Sequence, residues 1–199
     1  FLENISEDEL IEEVEKLNND ENISWFIVQL PLPSNIDDKK IINAINPIKD
    51  IDWFHPINQG KILIWDNSWL APCTPSWIME IFSYYNINLS WKIVTIIWKS
   101  NIVWKPIALM LINAWATVIS CNSKTPDISK FTIDSDIIIS ATWVAWIIKK
   151  EMIKENSILI DVWFSYIDWK IYWDMDFENL KEKSSMITPV PGWVGAMTV

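Results

Sequence analysis

The run Lys92-Ile93-Val94-Thr95-Ile96-Ile97-Trp98-Lys99-Ser100-Asn101 leads into Ile107-Ala108-Leu109-Met110-Leu111-Ile112, and no other stretch constrains the fold as strongly. Unbroken β-branched residues suit a strand covered on both faces, which means a parallel sheet. The polar break then delivers the chain to a helix N-terminus, where free backbone N–H groups favour a phosphate. Two residues contradict that use. Trp98 and Trp104 stand where a phosphate-cradling turn wants glycine, the residue that lets backbone approach a pyrophosphate and takes positive φ without cost.

Composition carries the same conflict. A typical soluble chain holds roughly 7% glycine, whereas these 199 residues include 3 Gly and 15 Trp. The tryptophans sit in turn contexts such as Asp52-Trp53, Ser90-Trp91-Lys92, Asp168-Trp169-Lys170 and Pro191-Gly192-Trp193, where D-G or S-G would be ordinary. Counted as glycines, they bring the content to about 9%, close to the usual level. The expectation is that most or all of these tryptophans stand for glycines, as when a UGA codon read as glycine by the source organism is translated as tryptophan. The alternative, a truly Trp-rich protein, needs fifteen large buried sites with a partner for each indole N–H.

The rest of the chain follows the strand, turn and helix rhythm. Strands are expected at 92–98, 117–121, 136–141 and 157–162, with a helix at 106–113, a hairpin at 166–173, a helix at 177–183 and a returning strand at 186–188. Before residue 90, an amphipathic helix over 7–17 carries a Ser6/Glu9 capping box. A short strand, 25–30, stops at Pro31-Leu32-Pro33. A second helix spans 37–44, and a long ordered loop covers 46–56. A further helix starts with Thr74 as N-cap and Pro75 in its first turn, running to about Tyr85. The fold class is α/β with two lobes, the second a Rossmann-like parallel sheet flanked by helices. The expected divisions are 1–75, 76–188 and a return segment 189–199.

A net charge of −10 without a basic stripe makes nucleic acid and anionic membranes poor partners. The apolar runs are strand-sized and none spans a bilayer. Cys73 and Cys121 make neither a disulfide scaffold nor a metal cluster, and a reducing cytoplasm suits them. The chain opens at Phe1 directly into an acidic amphipathic pattern, which reads as a piece of a longer protein. At the end of strand 117–121, Ser123 and Lys124 stand where an acidic residue would grip a ribose 2′-OH. With Lys99 they favour a 2′-phosphate, hence NADP over NAD, the alternative being ordinary surface lysines. Asp52 lies in the structured loop, either as a turn cap or as a ligand contact. His55, followed by Pro56, reads as structural.

With Trp read as Gly, the blocks VQLPLP (28–33), PIKDIDWFHPIN (47–58), PCTP (72–75), WKSNIVWKP (98–106), TVISCNSKT (117–125), SILIDVW (157–163) and ITPVPGWVGAMT (187–198) occur in order. On these the chain resembles the bifunctional methylenetetrahydrofolate dehydrogenase/methenyltetrahydrofolate cyclohydrolase family across its length. The resemblance implies a folate cleft between two lobes, NADP on the second lobe and a homodimer through the nucleotide-binding domain. It implies folate contacts by Gln29, Asp52, Pro191 and Gly192, and cofactor contacts by Trp98, Lys99, Ser100, Ser123, Lys124 and Phe164, with no metal. The family's catalytic lysine, from a Y-x-x-x-K helix, is expected upstream of Phe1, so no catalytic residue is assigned in this chain. Lys99 replaces a common arginine, Asn122 a frequent histidine and Phe164 a common isoleucine. A monofunctional dehydrogenase, or a folded fragment without catalysis, are the other classes the sequence leaves open.

Overall fold

The computed structural model describes residues 5–66, 72–98, 104–167 and 169–189. The chain forms two compact units, Phe1–Cys73 and Thr74–Val199.

In the first unit, helix α1 spans Glu7–Asn19 and α2 spans Asp38–Ala44. The capping box forms as expected. The Glu9 N–H donates to Ser6 Oγ at 3.2 Å, and the Ser6 N–H donates to Glu9 Oε2 at 2.9 Å, so orphan donors at the helix start are satisfied reciprocally. Leu10 and Val14 lie one helical turn apart and are buried with Ile36, Ile41 and Ile45. Lys40 Nζ, 2.6 Å from Glu7 Oε1, ties α2 to the start of α1.

The strand expected at 25–30 does not form. Phe26 makes a single parallel bridge to Asp50, with Phe26 N–H donating to the Lys49 carbonyl at 3.0 Å. Phe26 and Val28 pack on the small core. A ladder also needs a neighbouring strand to take the remaining backbone groups, and the described residues of this unit supply only that bridge. Helix α3, Pro56–Leu63, was not expected. Its start has a clear cause: Pro56 occupies the first turn, and His55 Nδ1 accepts the Ile57 N–H at 3.2 Å as N-cap.

Helix α4, Cys73–Tyr84, starts on the last residue of the first unit and otherwise belongs to the second. Thr74 is therefore inside the first turn rather than at the N-cap, while Pro75 is in that turn as expected. Next come β1 (Ile93–Trp98), α5 (Trp104–Asn113), β2 (Thr117–Cys121), a one-turn helix α6 (Ser129–Thr132), β3 (Ile137–Ala141) and β4 (Ile158–Asp161). The chain closes with a hairpin of β5 (Phe164–Ile167) and β6 (Lys170–Trp173), then α7 (Phe177–Leu180) and β7 (Met186–Ile187). The main sheet is parallel throughout, in the order β2-β1-β3-β4-β7.

Alternate residues of the apolar runs supply the two faces. Val94, Ile96, Ile137, Ile139 and Ile160 pack with Ile78, Phe82, Ile107 and Leu111, whereas Ile97, Ile138 and Leu159 pack with Ile148, Ile153, Met175 and Leu180. The unbroken hydrophobicity in the sequence is the mark of a sheet covered on both sides. In a sheet of this order the chain reverses direction of winding between β1 and β3, and ligands bind outside the carboxyl ends of the strands at such a point.

The tryptophans divide sharply in backbone conformation. Trp53, Trp65, Trp91, Trp115, Trp143, Trp146 and Trp169 have φ between 53° and 69°. The other positive-φ residues that are not glycine are Asn86 and Asn156, a residue type that tolerates this region. Among the described tryptophans only Trp53 and Trp104 are buried, and the Trp163 indole N–H is buried without a hydrogen-bond partner.

Candidate functional site

In the first unit the loop 46–58 is held by a buried carboxylate. Asp50 Oδ2 accepts the His55 N–H at 2.8 Å and an Asn58 side-chain N–H at 3.0 Å, and the same Asn58 amide donates to the Pro47 carbonyl at 2.8 Å. Gln59 donates its side-chain N–H to the Trp53 carbonyl. These bonds close the loop around Asp52, and the residue that follows it, Trp53, takes the left-handed conformation at φ 59°. Asp52 is half-buried. Burial, and then the neighbouring Asp50 charge, push its carboxyl above the ordinary aspartate value, and burial followed by the Asp52 charge does the same to the Cys73 thiol. A cleft of 240 Å³ beside this loop is lined by Ser24, Trp25, Pro47, Ile51, Trp53 and Asn58 among others. Asp52 is not part of its wall. Gln29 is exposed, its side-chain amide donating to the Leu30 carbonyl at 3.0 Å.

In the second unit, Trp98 ends β1, and its indole N–H donates to Ser120 Oγ of β2 at 2.6 Å. The ring therefore lies across the carboxyl end of the neighbouring strand, on the side of the sheet where a nucleotide would sit. Ser123 and Lys124 are exposed in the turn after β2, where the Lys124 N–H donates to Asn122 Oδ1 at 2.9 Å. Among the described residues the Lys124 ammonium makes no ion pair, and the nearest downstream acid, Asp127, is held by the N–H and hydroxyl of Ser129. That donor set fits a dinucleotide carrying a 2′-phosphate, provided position 98 has no side chain. Lys99, Ser100, Pro191 and Gly192 lie outside the described residues, as does the side chain of Phe164.

Sequence reasoning missed three carboxylates: Asp50, Asp161 and Asp174. Asp161 closes an apolar strand and is 2% exposed, and Asp174 is fully buried. Asp50 and Asp174 bind groups beyond their own turns, which no local pattern announces. The only hint for Asp161 was a charge at the end of Ser157-Ile158-Leu159-Ile160.

Comparison with known proteins agrees along the chain. Residues 1–52 match the family described as tetrahydrofolate dehydrogenase/cyclohydrolase, catalytic domain, and residues 72–199 match the NAD(P)-binding domain of the same family. The chain is 48% identical over 201 aligned residues to the bifunctional protein FolD of Mycoplasma mycoides, aligning over 100% of this chain and 69% of that protein. It is 46% identical to the protein of that name from Sulfurihydrogenibium, over 99% of this chain and 70% of the relative. Among solved structures, the bifunctional methylenetetrahydrofolate dehydrogenase/cyclohydrolase of Campylobacter jejuni superposes with a TM-score of 0.95 at 44% identity, covering 98% of this chain and 70% of that one. The Trypanosoma brucei enzyme, described as complexed with NADP cofactor and inhibitor, gives 0.91 at 32% identity, covering 98% and 69%.

Proposed function

The chain belongs to the tetrahydrofolate dehydrogenase/cyclohydrolase family, and we propose that its protein oxidises 5,10-methylenetetrahydrofolate to 5,10-methenyltetrahydrofolate with NADP and hydrolyses the product to 10-formyltetrahydrofolate. The observation that carries this reading is similarity to bifunctional relatives over the whole chain, in a fold whose second unit has the sheet order of a nucleotide-binding domain.

The division of labour follows from the residues. Gln29 and Asp52 are assigned to the folate, the carboxylate accepting from the amino-pyrimidine edge of the pterin, with Pro191 and Gly192 as backbone wall. Asp50 keeps Asp52 in place by fixing the turn on both sides of it. Position 98, as glycine, leaves room for the pyrophosphate, with Lys99 and Ser100 in the same turn, whereas the Trp104 ring, expected from the sequence to intrude there, is buried in the core with Phe82, Ile96 and Ile107. Ser123 and Lys124 hold the 2′-phosphate, and Phe164 borders the nicotinamide. When bound, NADP supplies the hydride acceptor. The protein's own contribution to the oxidation is orientation and exclusion of water. The assembly is a homodimer through the nucleotide-binding unit, and two free cysteines suit a cytoplasmic location. Among the described residues no helix is long and apolar enough to cross a membrane.

The test follows absorbance. The whole protein, mixed with methylenetetrahydrofolate and NADP, should form NADPH together with a methenyl species that then decays faster than in buffer. NAD at the same salt concentration should bind more weakly. Absence of nucleotide reduction would refute the reading, and a methenyl species that accumulates at its uncatalysed rate of decay would reduce it to a monofunctional dehydrogenase.

A further inference from the structure

The mechanism leaves the buried pair Asp161 and Asp174 unused, and their bonds run to one place. Asp174 Oδ2 accepts the Ser140 hydroxyl at 2.8 Å, the Thr142 N–H at 2.5 Å and the Thr142 hydroxyl at 2.9 Å, and Oδ1 accepts the Val144 N–H at 3.1 Å. Ser140 is in β3, whereas Thr142 and Val144 form the turn leaving its carboxyl end. Between them Trp143 takes φ 55°, and Trp146 follows at 53°. The far side of this arrangement is equally tied. Ile148 N–H donates to the Asp174 carbonyl at 3.3 Å, and Asp161 Oδ2 accepts the Met175 N–H at 2.8 Å.

We propose that Asp174 is a positioning residue for the nucleotide: its carboxylate fixes the turn after β3, at the crevice between β1 and β3 where the cofactor binds. This rests on the functional reading above and deepens it. A carboxylate is needed because four donors converge on the group, and an amide would aim N–H groups of its own at some of them. Asp161 serves as the neutral neighbour. Burial and the Asp174 charge push it up to about 8, and its Oδ1 is buried without a partner. Burial raises the Asp174 carboxyl too, opposed by the hydrogen bonds it accepts from Thr142, Ser140 and Val144, which Asp161 has fewer of. A carboxyl raised in this way stabilises the fold below its unfolded value of 3.8, and that contribution is lost as pH climbs toward about 8. Above that point a second negative charge stands beside the clamp.

The test uses the whole protein with glycine at the fifteen tryptophan positions. Asp174→Asn should raise KM for NADP by about tenfold or more, with KM for methylenetetrahydrofolate within about twofold. Should that variant fail to fold, Thr142→Val removes one donor and should raise the NADP KM alone by roughly threefold to tenfold. In the parent the NADP KM should climb above pH 8, and Asp161→Asn should abolish that climb. Folded variants with the parent's KM for NADP, or with both KM values raised equally, would overturn the positioning role. A parent protein that reduces no NADP would instead sink the functional reading itself.

Discussion

A polypeptide made with tryptophan at all fifteen positions is expected to be unfolded or nearly so, and the same chain with glycine there is expected to fold cooperatively. Seven tryptophans lie at φ between 53° and 69°. The left-handed region costs a residue with a Cβ about 1–2 kcal/mol, so the seven together cost about 7–14 kcal/mol. Total stability is about 5–15 kcal/mol for a protein of ordinary stability. Burial returns little of this, since Trp91 is 91% exposed and Trp169 100% exposed. Of the seven, Trp53 is the buried exception, and outside them the Trp104 ring is buried with Ile107, Ile96 and Phe82. Urea unfolding followed by circular dichroism should show a sharp transition for the glycine form. Restoring only the seven positive-φ positions should recover most of it, with nucleotide binding returning when 98 is also glycine. A tryptophan form of equal stability would refute the account of these turns.

The second large effect is expected at Asp52. Asp52→Asn in the glycine form should lower kcat/KM for methylenetetrahydrofolate about 100-fold, because a charge-assisted acceptor pair is replaced by one acceptor and one donor facing the pterin's own N–H groups. KM for NADP should stay within about twofold. The pH dependence has a definite direction. Since burial and Asp50 raise the Asp52 carboxyl, folate affinity should decline on the acid side at higher pH than an unperturbed aspartate would give. If Asp52 is only a turn cap, the variant loses about 1 kcal/mol of stability with kcat/KM intact. Steady-state kinetics across pH, paired with thermal unfolding, separates the two outcomes.

Legibility in the sequence followed the range of the interactions. The four long strands of the second unit were readable because a sheet buried on both faces demands continuous apolar residues, a local pattern. Residues 25–30 carried a similar pattern and formed one bridge, because strand formation depends on a partner that no local pattern supplies. Helix α3 had its Pro56 signal, but the proline-rich and aspartate-rich surroundings pointed to a loop. Ser123 and Lys124 were readable as the exposed turn that follows β2. Asp174 was not, since its partners Ser140, Thr142 and Val144 lie 30 to 34 residues away. Glycine's conformational role was legible in the opposite sense, through tryptophan in places that turn geometry denies to it.

The most direct measurement is mass spectrometry of the protein purified from its native source, on the peptides that span Trp53, Trp98, Trp143 and Trp146. Glycine mass at all four positions is the predicted result, joining left-handed turns and an open phosphate loop to a chain that folds and binds its nucleotide. Tryptophan mass at those positions would contradict it, leaving the strained backbone and the indole across β2 as properties of the working protein.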